Sequence, residues 1–148
     1  MVELTLNKAR TILRNSIKKC RELNLKPLSV VVLDSGGHVI AFERENYASP
    51  GRFDIARGKA YGSIMLGMSG TAQMARAEAQ QYFMSAVNGL FRGNVIPVPG
   101  GVLIKNKSER VIGAVGVTGD SSDNDAIVAM HGVNSAGLSG DMWGLIFK

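Results

Sequence analysis

The stretch from Val98 to Gly119, VPGGVLIKNKSERVIGAVGVTG, constrains the fold more than any other part of this chain. Its Pro-Gly-Gly entrance suits a backbone that turns sharply and leaves its amides free. Val102, Leu103 and Ile104 then predict one strand, Asn106 to Glu109 a polar turn, and Val111 to Val117 a second, apolar strand broken by Gly113 and Gly116. Glycines inside a strand let a neighbour come close, whether a helix, another subunit or a ligand.

An earlier hairpin has the same logic. Leu28 to Leu33 is an apolar run bounded by Pro27 and by Asp34-Ser35-Gly36-Gly37, and Val39 to Phe42 returns from that turn. Helical patterns surround the two hairpins. Leu6, Ala9, Leu13, Ile17 and Cys20, broadened by Ile12 and Leu23, form a stripe at helical spacing that ends by Asn24. Ser49-Pro50 predicts a helix start, with serine as the cap and Asp54 in the first turn, and Phe53, Ala56, Ala60 and Ile64 share a face. That helix is expected to break between Gly67 and Gly70. A third helix is predicted from about Thr71 to Val87, and Ser122 with Asp125 resembles a capping box opening a last helix through Ile127, Val128, His131 and Val133. Hairpins separated by helices predict a mixed α/β fold of the α+β type, with an antiparallel sheet.

A chain of 148 residues that is 45% hydrophobic holds one domain with a real core. Seventeen Lys and Arg against twelve Asp and Glu leave a formal net charge of +5, but much of the excess, Lys8, Arg10, Arg14, Lys18, Lys19 and Arg21, reads as the solvated face of the first helix. No stacking-aromatic pattern supports nucleic-acid binding. The single cysteine, Cys20, excludes an intrachain disulfide and reads as a small buried hydrophobe. With no secretory run at the amino terminus and no segment of membrane-spanning length, the chain is expected to be cytoplasmic.

In order along the chain, Val32-Leu33-Asp34-Ser35-Gly36-Gly37-His38-Val39-Ile40-Ala41, Ser49-Pro50 through Asp54-Ile55-Ala56 with Gly58-Lys59-Ala60, Val98-Pro99-Gly100-Gly101-Val102-Leu103-Ile104, and Val111 to Gly119 resemble the GlcG/HbpS family, which includes the carboxy-terminal half of PduO-type proteins. The resemblance spans 1–138. It implies a profilin-like sheet flanked by helices and a homo-oligomer. Some relatives bind haem or take part in haem and iron sensing, some lie beside cobalamin chemistry, and others accompany glycolate or aromatic catabolism. A tail, residues 139–148, departs from the pattern: its Met142, Trp143, Leu145, Ile146 and Phe147 need burial on the same or a neighbouring subunit.

The chemistry the residues offer is limited. No nucleophile elbow or phosphate loop is present, and neither histidine has a neighbour at metal-ligand spacing. His38 reads as an exposed turn residue. His131 reads either as a partly buried, hydrogen-bonded side chain or as an axial haem ligand. Arg52, near the helix start, could hold a carboxylate or propionate in two-pronged fashion, or equally form an intramolecular ion pair or a dimer salt bridge. Pro99, Gly100, Gly101 and Gly119 outline amides that could receive an anion, and turn geometry alone also explains these glycines. Asp54 and Lys59 are the candidate proton carriers if the protein is an enzyme acting on a small carboxylate, and Arg52, Asp54 and Lys59 are expected to face one cleft near the Pro-Gly-Gly loop. Met65, Met68, Met74 and Met84 are compatible with a flat apolar ligand and equally with ordinary core filling. Three readings follow: a binder of haem or another small molecule, a catabolic enzyme, or a structural accessory subunit.

Overall fold

A computed structural model describes residues 2–144. The elements run α1 (Leu6–Glu22), β1 (Ser29–Asp34), β2 (Val39–Arg44), α2 (Arg52–Leu66), α3 (Gly70–Ala79), α4 (Gln81–Leu90), β3 (Gly101–Lys105), β4 (Val111–Thr118), α5 (Ser122–Ser135) and β5 (Ser139–Asp141). The strands form one antiparallel sheet in the order β2-β1-β4-β3-β5.

Side chains alternate across the central strands, so each strand feeds two cores. Val30 and Val32 of β1, with Val115 and Val117 of β4, join Ile12 and Leu13 of α1 and Val128 and Ala129 of α5 in the larger core. Val31, Leu33 and Ala114 meet Ala56 and Ala60 of α2 on the opposite face. Burial on both faces is why β1 reads as an unbroken apolar run.

The glycines of the β3–β4 hairpin have a specific neighbour, and it is α2. A Cβ on Gly116 would stand 2.0 Å from the Ala56 carbonyl oxygen, and one on Gly101 would stand 2.3 Å from that of Lys59. The missing side chains let the helix backbone lie almost on the strands.

Four local expectations are corrected. The third helix is two helices, because Gln80 leaves the helical region (φ −143°, ψ 74°). Arg76 secures that break: its Nε donates to Gln80 Oε1 at 2.6 Å, and its guanidinium stacks 4.1 Å from the centre of the Phe83 ring. Ser49 does not cap α2, since the N-cap is Gly51 and the Ser49 hydroxyl accepts from Arg52 Nε at 3.0 Å. The cap of α5 is Ser121 and not Ser122, its hydroxyl accepting from the Asn124 amide at 3.2 Å. Finally, β5 is a strand the two hairpins did not announce. It pairs Asp141 with Leu103 and Ser139 with Lys105, Met142 packs against the larger core, and Trp143 remains 47% exposed. Leu145, Ile146 and Phe147 lie outside the described residues. Among the described residues no helix is long and apolar enough to cross a membrane.

Candidate functional site

Residues seven apart on a helix return to within about 20° of one face. Arg52 and Lys59 therefore point the same way from α2, toward the end of β4, while Asp54 lies on the other side and is exposed. Lys59 is 3% exposed. Its Nζ donates to the Val117 carbonyl at 3.0 Å and to Asp125 Oδ2 at 3.1 Å, tying α2 to β4 and to the first turn of α5. Above it the half-buried Arg52 donates through Nη1 to the Thr118 hydroxyl at 2.8 Å.

Asp125, 1% exposed, explains the loop that follows β4. Its Oδ1 accepts from the Asp120 amide at 3.1 Å, and its carboxylate also bonds the Gly119 amide. The amides expected to await an external anion near Gly119 are thus occupied by a carboxylate of the protein itself. Next to it, Asp120 accepts from the Lys26 and Ser121 amides and from the Asn124 side chain; these bonds, that of Asn124 foremost, lower its pKa to about 2.

On the strand side, Pro99 and Gly100 are buried, and Gly100 adopts φ +121°. A Cβ there would meet the Val117 oxygen at 2.5 Å and Lys59 Nζ at 2.9 Å, so this glycine makes room for the buried ammonium. The carbonyl of Gly100 in turn accepts from the Val117 amide at 2.9 Å.

Burial sets the electrostatics of the pair. Desolvation lowers the Lys59 pKa, opposed by Asp125 and assisted by the positive charge of Arg52. Desolvation likewise raises the Asp125 pKa, opposed by Lys59 and by its backbone donors. Both groups are pushed toward their neutral forms, yet neither reaches solvent. The arrangement is a buried clamp behind Arg52, joining α2 to β4 and α5.

Several sequence-based site expectations are corrected here. Arg52 and Lys59 do come together beside Gly100, but Asp54 faces solvent, so Asp54 and Lys59 share no cleft. His131 is exposed on α5 and not partly buried. It also belongs to the helix on the opposite side of the sheet from α2, so it joins neither Arg52 nor the glycine loop. His38 is exposed after its turn, as expected. Cys20 is buried, donates to the Lys26 carbonyl at 3.4 Å, and has its thiol pKa raised by burial. Among the described residues no group of three or more His, Cys, Asp or Glu side chains could hold a metal ion.

Asp125 and Thr118 were missed. Asp125 had a readable signal: Val128, Ala129 and Gly132 follow it at i+3, i+4 and i+7, so the carboxylate lies on the apolar stripe of α5 and demands a buried partner.

An antiparallel sheet with helices on both faces defines the structural class. Residues 4–134 match the family model described as haem degrading protein HbpS-like, and the chain belongs to that family. Among solved structures it is similar to PduOC in its haem complex, with a TM-score of 0.79 and 18% identity over 92% of this chain and 96% of that one. It is similar to Klebsiella pneumoniae protein ORFY (TM-score 0.77, 26% identity, 90% of each chain). A double mutant of Streptomyces reticuli HbpS also matches (TM-score 0.75, 24% identity, 90% of this chain and 87% of that one). No curated protein matches the sequence.

Proposed function

We propose that this chain binds haem or another tetrapyrrole as a homo-oligomer. The observation that carries the reading is the fold it has in common, over 92% of its length, with a protein solved as a haem complex, alongside its place in the HbpS-like family.

The donor chemistry of the chain fits such a ligand. Arg52 spends Nε and Nη1 on Ser49 and Thr118, and its Nη2 has no partner among the described residues, which suits a propionate. His131 offers an exposed imidazole for iron. The open cavities beside Lys105 (about 550 Å³), beside Tyr47 (about 510 Å³) and between α3 and α4 (about 270 Å³) have no histidine in their walls. Arg52 and His131 lie on opposite sides of the sheet, so a haem that uses both sits between two copies, taking Arg52 from one and His131 from the other. The enzyme alternative gains nothing comparable, since its proposed proton carriers do not meet.

Titration with haem followed by absorbance tests the proposal. A saturable Soret shift is expected, Arg52→Ala should weaken binding by about tenfold, the worth of one charge-assisted hydrogen bond, and His131→Ala should move the Soret band. A non-saturable titration overturns the proposal. An unchanged spectrum for His131→Ala removes that residue as the iron ligand.

A further inference from the structure

A cavity of about 550 Å³ opens between the first turn of α1, the turn that joins β3 to β4, and the loop after α5. It takes no part in the haem reading. Ile112 lies in its wall, and Thr118, which holds Arg52, is six residues further along β4, so about 20 Å separates the cavity from the Arg52 site.

Lys105, in the wall of this cavity, is a buried cation with unused bonding capacity. An ammonium carries three N–H donors. With its side chain only 2% exposed, Lys105 makes one side-chain hydrogen bond among the described residues, from Nζ to Asp141 Oδ2 at 2.5 Å. Glu109 Oε2 stands at 3.7 Å, an ion pair without a hydrogen bond. The other buried lysine, Lys59, makes two bonds. Donors of a buried charge that find no acceptor cost free energy, and an acceptor entering the cavity would recover it.

Glu109 is placed to give way. Its backbone holds φ +63°, a conformation that glycine adopts more easily, and its amide closes the turn on the Asn106 carbonyl at 3.0 Å. Its side chain is 63% exposed and has room to turn into water. Two further ammoniums line the cavity, those of Lys8 and Lys107, and among the described residues neither has a carboxylate partner. Lys8 even stands in the first turn of α1, where the helix dipole disfavours a cation and where α2 and α5 carry aspartates instead. The remaining carboxylate of the wall, Glu3, is taken up by Asn106 Nδ2 at 2.8 Å and by Arg110 at 3.6 Å. Three lysines thus face two carboxylates, and each carboxylate already has a cation.

We propose that this cavity binds a small organic dianion: Lys8 and Lys107 match its two charges, the spare donors of Lys105 bond one of its oxygens, and Glu109 is the counter-ion it displaces. Ile112 and Leu138 in the wall give its carbon body an apolar surface. A dicarboxylate and a phosphomonoester meet this description alike, since what is recognised is two negative charges on oxygen.

Calorimetric titration at low salt with succinate, inorganic phosphate and acetate tests the site. Saturable binding of a dianion is expected, at least tenfold tighter than that of acetate. Lys8→Gln and Lys107→Gln, both at exposed positions, should each weaken it by about fivefold, the worth of one exposed charge pair, and Glu109→Gln should tighten it by a similar factor. Arg14→Gln, on the outer face of α1, lowers the net charge by the same unit and should leave the affinity unchanged. Either order of the two dianions supports the site: succinate first puts the charges on two groups, and phosphate first puts them on one. The absence of saturable binding by both overturns the proposal, as does acetate binding equally well. An affinity that survives Lys8→Gln and Lys107→Gln together overturns it too. So does an equal loss in Arg14→Gln, because the overall positive field would then be gathering the anions and not the cavity.

Discussion

Two lysines are buried in this molecule, each against an aspartate, and they teach different things. Lys59 is sealed: its partner Asp125 is 1% exposed and burial raises that carboxyl's pKa. Lys105, at the end of β3, is just as buried, but its partner Asp141 on β5 reaches solvent at the rim. The two are 2.5 Å apart, and Glu109 lies 3.7 Å from the same ammonium. Burial alone would raise the Asp141 pKa too; the hydrogen bond from Lys105 and those from the Trp143 and Gly144 amides outweigh it and bring the value down. Access to water at one partner is enough to reverse the sign. The inner pair is a clamp that holds α2, β4 and α5 in register, and the outer pair is a latch that holds the terminal strand to the sheet edge.

The largest expected effect comes from breaking the clamp. Lys59→Met leaves a carboxylate buried with backbone donors only and should cost about 3–5 kcal/mol in denaturant unfolding. Adding Asp125→Asn should restore most of the loss, because the amide removes the charge and its oxygen still accepts from Asp120. In the single variant the Asp125 pKa rises further above its unfolded value. The native state then takes up an extra proton as the solution is acidified, so the loss should already shrink above the ordinary 3.8. If Lys59→Met costs no more than Lys105→Met, the distinction between clamp and latch fails.

Breaking the latch should matter less. In Lys105→Met the freed Asp141 can turn toward water, and about 1–2 kcal/mol is expected. Hydrogen exchange should accelerate at the amides pairing β3 with β5 while those of β4 and β1 hold. Because the folded Asp141 pKa is depressed, its contribution is present above the unfolded 3.8 and is lost as pH falls through the lower folded value. The difference between wild type and Lys105→Met should therefore close only below about pH 4, unlike that of Lys59→Met.

The smallest effect belongs to Asp120, which is held by the Lys26 and Ser121 amides and by the Asn124 side chain. Asp120→Asn should cost under about 1 kcal/mol at neutral pH. Its folded pKa of about 2 lies below the unfolded 3.8, so the difference should vanish as the pH falls across that interval. Thermal melts between pH 5 and pH 2 test this, and a difference that grows in acid would contradict the assignment.

Much of the fold was legible because its signals are local. The α1 stripe, both hairpins and the stop at Gly67 rest on periodicity and on residues that force a turn, and each is where the sequence places it. The break at Gln80 was not legible, since no glycine or proline marks it and the Arg76–Phe83 stack that secures it exists only after the helices meet. The site was legible in half. Arg52, Lys59 and the Pro-Gly-Gly loop do converge, and helical arithmetic alone would have set Asp54 apart. His131 failed because Ile127, the apolar neighbour that suggested burial, is itself 48% exposed.

What the sequence by itself determined is where the chain turns, which faces are apolar and which strands can accept a backbone at contact distance. Which lysine is buried, and against which carboxylate, was decided by the tertiary structure. Lys59 and Lys107 are the same residue type, and one is enclosed while the other is exposed. The physical reason is that desolvation depends on every element that closes over a group. For Lys59 those elements, α2, β4 and α5, are brought together from residues that lie 58 and 66 positions away along the chain.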